Sequence, residues 1–150
     1  MAFNILVVDD SDTMRAVIKK TVGMAGVQIG ELFEAGNGRE ALKVLEEEWV
    51  DVVLSDINMP EMNGIEFLQE AQKDSVLRDI PVIFLTTESS QGRMDEAKEL
   101  GSAGYIKKPF QPAQIKEMLL DVLNKAYASR MEDEGFVDPA TVEQDEDLDF

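Results

Sequence analysis

The sequence predicts an α/β fold, a doubly wound five-stranded parallel sheet with helices on both faces. Five short apolar runs rich in β-branched residues alternate with five stretches in which apolar residues recur at helical spacing. This alternation is typical of parallel βαβ units, whose sheet is covered on both sides. Polar side chains follow four of the apolar runs, which indicates that one edge of the sheet is a functional site.

The five strands are predicted from apolar runs that end at turn-forming or charged residues. The second run has the weakest signal, and the third ends in a lone carboxylate, which is costly at the end of a buried strand unless it is used there. The predicted strands are Phe3–Val8, Glu31–Ala35, Val52–Asp56, Val82–Leu85 and Gly104–Lys107.

The five helices are predicted from apolar residues three or four positions apart. Asp12 or Thr13 can cap the first helix, which is expected to end at Gly23 and Gly26. Pro112 can occupy the first turn of the last helix. The apolar stripes are Met14, Val17, Ile18, Thr21 and Val22; Ala41, Leu42, Leu45 and Trp49; Ile65, Phe67, Leu68 and Ala71; Met94, Ala97 and Leu100; and Ile115, Leu119, Val122, Leu123 and Ala126.

The alternating pattern ends near Arg130, which predicts one domain over residues 1–130 and an acidic tail over residues 131–150. The tail contains nine carboxylates and no basic residue, and it is aperiodic and poor in large apolar groups. Such a composition is typical of a disordered segment. Apolar residues among the acids, such as Phe136 and Phe150, leave open that the tail docks on a partner or folds back on the domain.

Composition excludes several functions. The chain has no cysteine and no histidine, so it offers neither thiol nor imidazole chemistry. The net charge is −17 without a basic stripe, which argues against direct binding to nucleic acid. No apolar run approaches the length of a membrane span, and the N-terminus does not have a basic region followed by a long apolar one. We therefore expect a cytoplasmic protein that does not enter a membrane.

Polar residues at four strand ends are predicted to form one pocket, since right-handed crossovers bring these ends to the same edge of the sheet. Three carboxylates repel one another, and Mg²⁺ relieves that repulsion. A carboxylate can also accept a phosphoryl group, whose oxygens Mg²⁺ and the Lys108 ammonium would neutralise and to which Thr86 would donate a hydrogen bond. Lys108 is preferred to Lys107 because Pro109 restricts its backbone. The pocket residues are Asp9, Asp10, Asp56, Thr86 and Lys108.

Four motifs in this pocket resemble those of bacterial response-regulator receiver domains. They are Val8-Asp9-Asp10, Ser55-Asp56-Ile57-Asn58-Met59-Pro60, Leu85-Thr86-Thr87 and Lys108-Pro109-Phe110. The resemblance covers residues 3–127 and implies a flavodoxin-like sheet with strand order 2-1-3-4-5. Thr13-Met14-Arg15 and Gly104-Tyr105 resemble the single-domain chemotaxis regulators in particular.

The resemblance implies the chemistry of the pocket. Asp56 is expected to accept a phosphoryl group from the phosphohistidine of a histidine kinase. Asp10 and Asp56 would bind Mg²⁺ together with the backbone carbonyl of Asn58, and Asp9 would help through water. Lys108 would contact the phosphoryl oxygens, and its peptide bond to the following proline is expected to be cis. The protein would catalyse only its own Mg²⁺-dependent phosphorylation and dephosphorylation, and is not otherwise an enzyme.

The resemblance also implies a switch. Thr86 would move towards the phosphoryl group, and Tyr105 would turn inward behind it. The surface formed by the fourth helix, the fifth strand and the fifth helix would then change its affinity for a downstream protein. Asn58 and Glu88 lie two residues after Asp56 and Thr86, where they would set a short phosphoryl lifetime.

The sequence leaves three alternative functions open. A phosphatase of the haloacid-dehalogenase type would use Asp10 as nucleophile, since Asp10-Ser11-Asp12 resembles its opening motif, although Met14 stands where that motif has Thr or Val. A receiver that acts as a scaffold without phosphorylation would not need the intact pocket. The tail could also lead to an output domain beyond the sequence.

Overall fold

The structure is a computed structural model that describes the backbone of residues 2–87 and 91–133 and the side chains of residues 2–87 and 91–126. Within these residues lies one parallel sheet of five strands in the order β2-β1-β3-β4-β5, which confirms the predicted fold class and strand order. A single turn of 3-10 helix precedes β4. The elements are β1 Phe3–Val8, α1 Asp12–Met24, β2 Ile29–Ala35, α2 Gly38–Glu47, β3 Val52–Ser55, α3 Gly64–Gln72, the 3-10 turn Leu77–Asp79, β4 Val82–Thr86, α4 Gln91–Glu99, β5 Gly104–Lys107 and α5 Pro112–Asp133.

The sheet separates two hydrophobic cores. Ile5 and Val7 of β1 pack with side chains of α1 and α5, whereas Leu6 and Val8 pack with side chains of α2, α3 and α4. All four of these side chains are fully buried. Burial on both faces explains why the strands appear in the sequence as continuous apolar runs instead of alternating patterns.

The start of α1 differs from its prediction. Ser11, and neither Asp12 nor Thr13, caps this helix: its hydroxyl oxygen accepts a hydrogen bond of 3.1 Å from the backbone N–H of Met14. Gly23, expected to end α1, lies inside it. A helix cap needs a residue with extended backbone just before the first turn. Ser11 has that conformation, and its N–H donates to Oδ1 of Asp9.

Two residues assigned to buried helix faces are exposed. Val17 is 46% exposed on α1. Trp49 is 69% exposed because α2 ends at Glu47, before the helical period could return the indole to the core. The second strand is also longer than predicted, since β2 begins at Ile29.

The last helix continues beyond the predicted domain boundary. α5 ends at Asp133, three residues past residue 130. No helix among the described residues, α5 included, has both the length and the apolar character needed to cross a membrane. The acidic tail was predicted to be disordered over residues 131–150, but its first three residues belong to α5. Residues 134–150 lie outside the described residues, so their disorder stays a prediction.

An ion-pair cluster joins α1 to β2. One carboxylate oxygen of Glu34 accepts a hydrogen bond from Lys19 Nζ at 2.7 Å, and the other accepts one from Arg15 Nε at 2.9 Å. The hydrogen bond from Lys19, and then the one from Arg15, lowers the pKa of Glu34 below its ordinary value, and the bond from Lys19 has the larger effect. Arg15 also pairs with Asp12 and donates to the backbone carbonyl of Asp9, so the cluster extends to the start of the pocket.

Replacing Glu34 with Gln is expected to lower the free energy of unfolding at neutral pH by less than about 1 kcal/mol, because partly exposed ion pairs contribute little. The pKa of Glu34 is lower in the folded chain than its unfolded value near 4.5, so the contribution is present above that value and is lost as the pH falls through the folded pKa. The free energies of unfolding of the wild type and Glu34→Gln, measured by urea unfolding, should therefore converge at acid pH.

A matched control for this prediction is Glu31→Gln on the same strand, since Glu31 forms no ion pair within the described residues. Its stability should follow that of the wild type across the pH range. A difference between Glu34→Gln and the wild type that stays constant from neutral to acid pH would contradict the role of the lowered pKa.

Candidate functional site

Two neighbouring strands bring the three carboxylates of the site together. Asp9 and Asp10 directly follow β1, and Asp56 directly follows β3. Because β1 and β3 are adjacent and parallel, the backbone N–H of Asp56 donates to the carbonyl of Val8 at 2.9 Å. The strand pairing thus fixes the separation of the acidic residues.

The other half of the site comes from β4 and β5. Thr86 is the last residue of β4 and is fully buried. Its backbone carbonyl accepts a hydrogen bond of 2.9 Å from the N–H of Lys108, which places Lys108 at the same edge of the sheet. The Lys108-Pro109 peptide bond is cis, as the resemblance implies.

Asp9, Asp10 and Asp56 form one acidic cluster, in which one carboxylate oxygen from each lies within 4.8 Å of the others. Asp9 is 2% exposed, Asp56 is half-buried and Asp10 is exposed. Three carboxylates at this separation are unfavourable without nearby cations. An all-oxygen cluster open to solvent on one side fits Mg²⁺, which keeps several of its water ligands. The three residues could therefore hold such an ion.

Lys108 supplies a positive charge to this cluster. Its Nζ lies 3.0 Å from Oδ2 of Asp9 and 3.7 Å from Oδ2 of Asp56. The Lys108 side chain is only 9% exposed, so a partner is needed to offset the cost of burying its charge. Lys107, the neighbouring lysine, is exposed.

Hydrogen bonds distinguish Asp56 from Asp9. Oδ1 of Asp9 accepts from the N–H of Ser11 at 2.9 Å, and Oδ2 accepts from Lys108, so both oxygens of this buried carboxylate are engaged. Oδ1 of Asp56 accepts from the N–H of Ile57 at 2.7 Å. Oδ2 of Asp56, at 3.7 Å from Lys108 Nζ, is too far for a hydrogen bond to it. Oδ2 of Asp56 is accordingly less tightly held than either oxygen of Asp9.

The loop between β3 and α3 forms one wall of the site. Asn63 caps α3 by accepting from the N–H of Glu66 at 2.8 Å, and the Glu66 carboxylate accepts from the N–H of Asn63 at 3.0 Å. The N–H of Gly64 donates to the carbonyl of Ile57 at 2.8 Å. Asn58, whose carbonyl is the expected third metal ligand, is exposed in this loop.

The expected switch residues lie beside the pocket. Tyr105 of β5 is half-buried, and it is in register with Phe84, two residues before Thr86. A cavity of about 340 Å³ adjoins Tyr105 and is lined by Ile57 together with residues of α4, β5 and the loop between them. Glu88, the expected tuning residue, lies outside the described residues.

Sequence reasoning missed two residues that position the site. Ser11 holds Asp9 through its N–H and caps α1 through its hydroxyl. Arg15 donates to the backbone carbonyl of Asp9 while it pairs with Glu34. Ser11 could have been found as the third candidate cap beside Asp12 and Thr13. The role of Arg15 depends on a contact with β2 that no local pattern predicts.

A model of the response regulator receiver domain matches residues 5–120. The chain belongs to the response-regulator receiver family. It is 42% identical over 120 residues to a chemotaxis protein CheY homolog of Campylobacter jejuni, covering 79% of this chain and 91% of the relative. It is 41% identical over 120 residues to chemotaxis protein CheY1 of Helicobacter pylori, covering 79% and 95%.

Solved structures agree with this family. The chemotaxis response regulator CheY4 of Vibrio cholerae has a TM-score of 0.68 and 36% identity, over 84% of this chain and 99% of that structure. A CheY-like receiver domain from Methanospirillum hungatei has a TM-score of 0.76 and 26% identity, over 86% and 99%. The family confirms a receiver domain, not an enzyme of the usual kind, and does not favour the phosphatase alternative.

Gly64→Ala is expected to destabilise the fold and disturb the backbone of Asp56. A Cβ at this position would lie 2.4 Å from the Asp56 carbonyl oxygen and 2.8 Å from the Phe84 ring, so the loop has to shift. We expect a loss of roughly 1–3 kcal/mol, the usual range for overpacking. Chemical denaturation measures the loss, and the amide resonance of Asp56 reports the shift.

Gly23→Ala is the matched control, because a Cβ there would meet nothing within 4 Å and Gly23 lies inside α1. Alanine is favoured over glycine in a helix, so this change should raise stability by about 0.5–1 kcal/mol. Equal stability of the two variants would contradict the close packing assigned to Gly64.

Proposed function

We propose that the protein is a phosphorylation-activated response regulator of a chemotaxis-type two-component pathway, with Asp56 as the phosphoryl acceptor from a histidine kinase. The observation that supports it most is the acidic cluster of Asp9, Asp10 and Asp56, within reach of the Lys108 ammonium at one sheet edge. Relatives named as chemotaxis proteins support the pathway. The cytoplasm is the proposed compartment, where histidine kinases present their phosphohistidines.

Asp56 is the favoured nucleophile among the three carboxylates. Asp9 is buried and both its oxygens are engaged, whereas Oδ2 of Asp56 is only loosely held. In the transfer, the P–N bond of the phosphohistidine breaks and Oδ2 of Asp56 forms the new P–O bond. The leaving imidazole keeps the electron pair of the broken bond and takes up a proton from solvent.

Asp10, Asp56 and the backbone carbonyl of Asn58 are the proposed protein ligands of Mg²⁺, with Asp9 acting through water. When bound, the ion neutralises charge on the phosphoryl oxygens. Lys108 contributes the second positive charge, from a position already within 3.7 Å of Oδ2 of Asp56. The buried Asp9 keeps this ammonium in place through the 3.0 Å ion pair.

Thr86 and Tyr105 are the proposed switch. The Thr86 hydroxyl would donate a hydrogen bond to the phosphoryl group. This movement of Thr86 would leave space into which Tyr105 turns, and the cavity of about 340 Å³ at Tyr105 supports it. The face formed by α4, β5 and α5 would then bind a downstream protein. Phosphorylation shifts this equilibrium only through contacts that differ between the two states. Asn58 and Glu88 are proposed to orient the water that hydrolyses the phosphoryl group.

Asp56→Asn is expected to abolish phosphorylation, because the amide lacks the nucleophilic carboxylate oxygen. Incubation with acetyl phosphate and Mg²⁺, followed by intact-mass measurement and peptide mapping, should show one phosphoryl group on the wild type and none on the variant. Asp12→Asn is the control, since it removes an exposed carboxylate close to the site, and it should be phosphorylated to the same extent as the wild type. A phosphoryl group on Asp10 would favour the phosphatase alternative, and retained labelling of Asp56→Asn would refute the assignment.

Lys108→Ala is expected to retain Mg²⁺ binding but to uncouple phosphorylation from the switch. Loss of one charge-assisted hydrogen bond should slow phosphoryl uptake roughly ten- to hundredfold, and phosphorylation should no longer shift the amide resonances of Thr86 and Tyr105. Lys107→Ala is the control, since Lys107 is the neighbouring but exposed lysine. Identical behaviour of the two variants would count against the role of Lys108.

A further inference from the structure

A second cavity lies at the opposite edge of the sheet from the acidic cluster. It has a volume of about 370 Å³ and opens where β3 and β4 begin, between the end of α2 and the 3-10 turn. Its volume lies within the range of about 300–1,000 Å³ that is usual for binding sites. Nothing in the proposed phosphorylation chemistry uses this basal cavity.

The basal cavity is bordered by exposed apolar side chains. Trp49 is 69% exposed and Val76 is 72% exposed, and they are the two most exposed of the large hydrophobic side chains that the structure describes. Leu45 and Leu77, each 6% exposed, form an apolar floor between them. Two such residues at one opening, in a domain that buries most of its large apolar groups, mark an interaction surface.

Trp49 is fixed in its exposed position. Its indole N–H donates to Oδ1 of Asp51 at 3.1 Å, and its backbone carbonyl accepts from Nδ2 of Asn4 at 2.9 Å. Asp51 is itself anchored, because its Oδ2 accepts from the backbone N–H of Asn4 at 2.8 Å. The indole is therefore preorganised, and a partner would not have to order it on binding.

The lining of the basal cavity is acidic. Glu48, Asp51 and Asp79 contribute carboxylates, and no basic residue lines it within the described part of the chain. Arg78 precedes Asp79 but is not part of the lining. Carboxylates beside an indole form a suitable environment for a guanidinium group, which pairs with the acids and stacks on the aromatic face.

We propose that the basal cavity docks a segment of a partner protein that presents an arginine next to a large apolar side chain. The arginine would pair with the acidic lining and stack on Trp49, and the apolar side chain would occupy the floor. A small cation would leave Val76 and much of Trp49 in water, which favours a peptide. The acidic tail of this chain does not suit the cavity, because residues 131–150 contain no basic residue.

Docking at this cavity would be compatible with signalling. The basal cavity and the acidic cluster lie at opposite ends of β3, so an occupant would leave both the phosphorylation site and the face of α4, β5 and α5 uncovered. The domain could therefore be held by one partner while it is phosphorylated and binds another.

The test uses Trp49, which is the one tryptophan of the chain, as a fluorescent reporter. The probe is a blocked eight-residue peptide in which arginine and leucine alternate, titrated into the full chain. We expect a saturable shift of Trp49 emission. The double variant Glu48→Gln/Asp79→Asn should weaken binding at least about tenfold, since two partners of the guanidinium are lost. The charge-matched double variant Glu96→Gln/Glu117→Gln, with both changes outside the cavity, should weaken it less than about twofold.

Several results would overturn the proposal. The absence of any shift at millimolar peptide would exclude docking, and equal weakening in both double variants would reveal only attraction to a highly acidic protein. Equal binding of a peptide with serine in place of leucine would show that the apolar floor is unused. Equal binding of blocked single arginine would assign the cavity to a small cation. A shift that depends on protein concentration without peptide would assign it to a second copy of this chain.

Discussion

The ion pairs of Lys108 with Asp9 and Asp56 are the interaction on which the site depends. Asp9 is almost completely buried, and a buried carboxylate is stable only if cations and N–H groups compensate its charge. The compensating lysine lies 99 residues further along the chain. The pairing therefore requires that β1, β3 and β5 end at the same edge, and the parallel pairing of the strands in this order provides this. Three carboxylates against one ammonium still leave the pocket negative, which suits a divalent cation.

The same strand order connects the pocket to a surface. Thr86 is fully buried at the end of β4, and the next strand, β5, contains Tyr105 and is followed directly by Lys108. A change at the acidic cluster thus has a short route through two hydrogen-bonded strands to α4 and α5. The loop after β3 has the opposite character, since the capping of α3 and the tight approach of Gly64 hold it in one shape. Asp56 thus begins a loop with a fixed shape, and the next residue of that loop, Ile57, lines the cavity beside Tyr105.

Much of the fold and the location of the site could be predicted from the sequence, because both depend on local patterns. Apolar runs that end in polar residues are visible without any tertiary information, so Asp9, Asp56 and Lys108 were identified as one pocket. The exposure of Trp49 was missed because the helical spacing continues past the true end of α2. Arg15 was missed because its partners come from different elements. Local periodicity describes neither helix ends nor contacts between elements. The exposure of Trp49 depends on the first, and the role of Arg15 depends on the second.

The position of β5 at the side of the sheet has a consequence for how the domain opens locally. Within the described part of the chain, this strand pairs with a neighbour on one side only. It has four residues, of which Ile106 alone is buried. Opening an outer strand such as β5 costs less free energy than unfolding the centre of a sheet. The amide hydrogens of β5 are therefore expected to exchange before those of β1 and β3. Local opening of this strand would move Lys108, which follows it directly, without opening the strands that precede Asp9, Asp10 and Asp56.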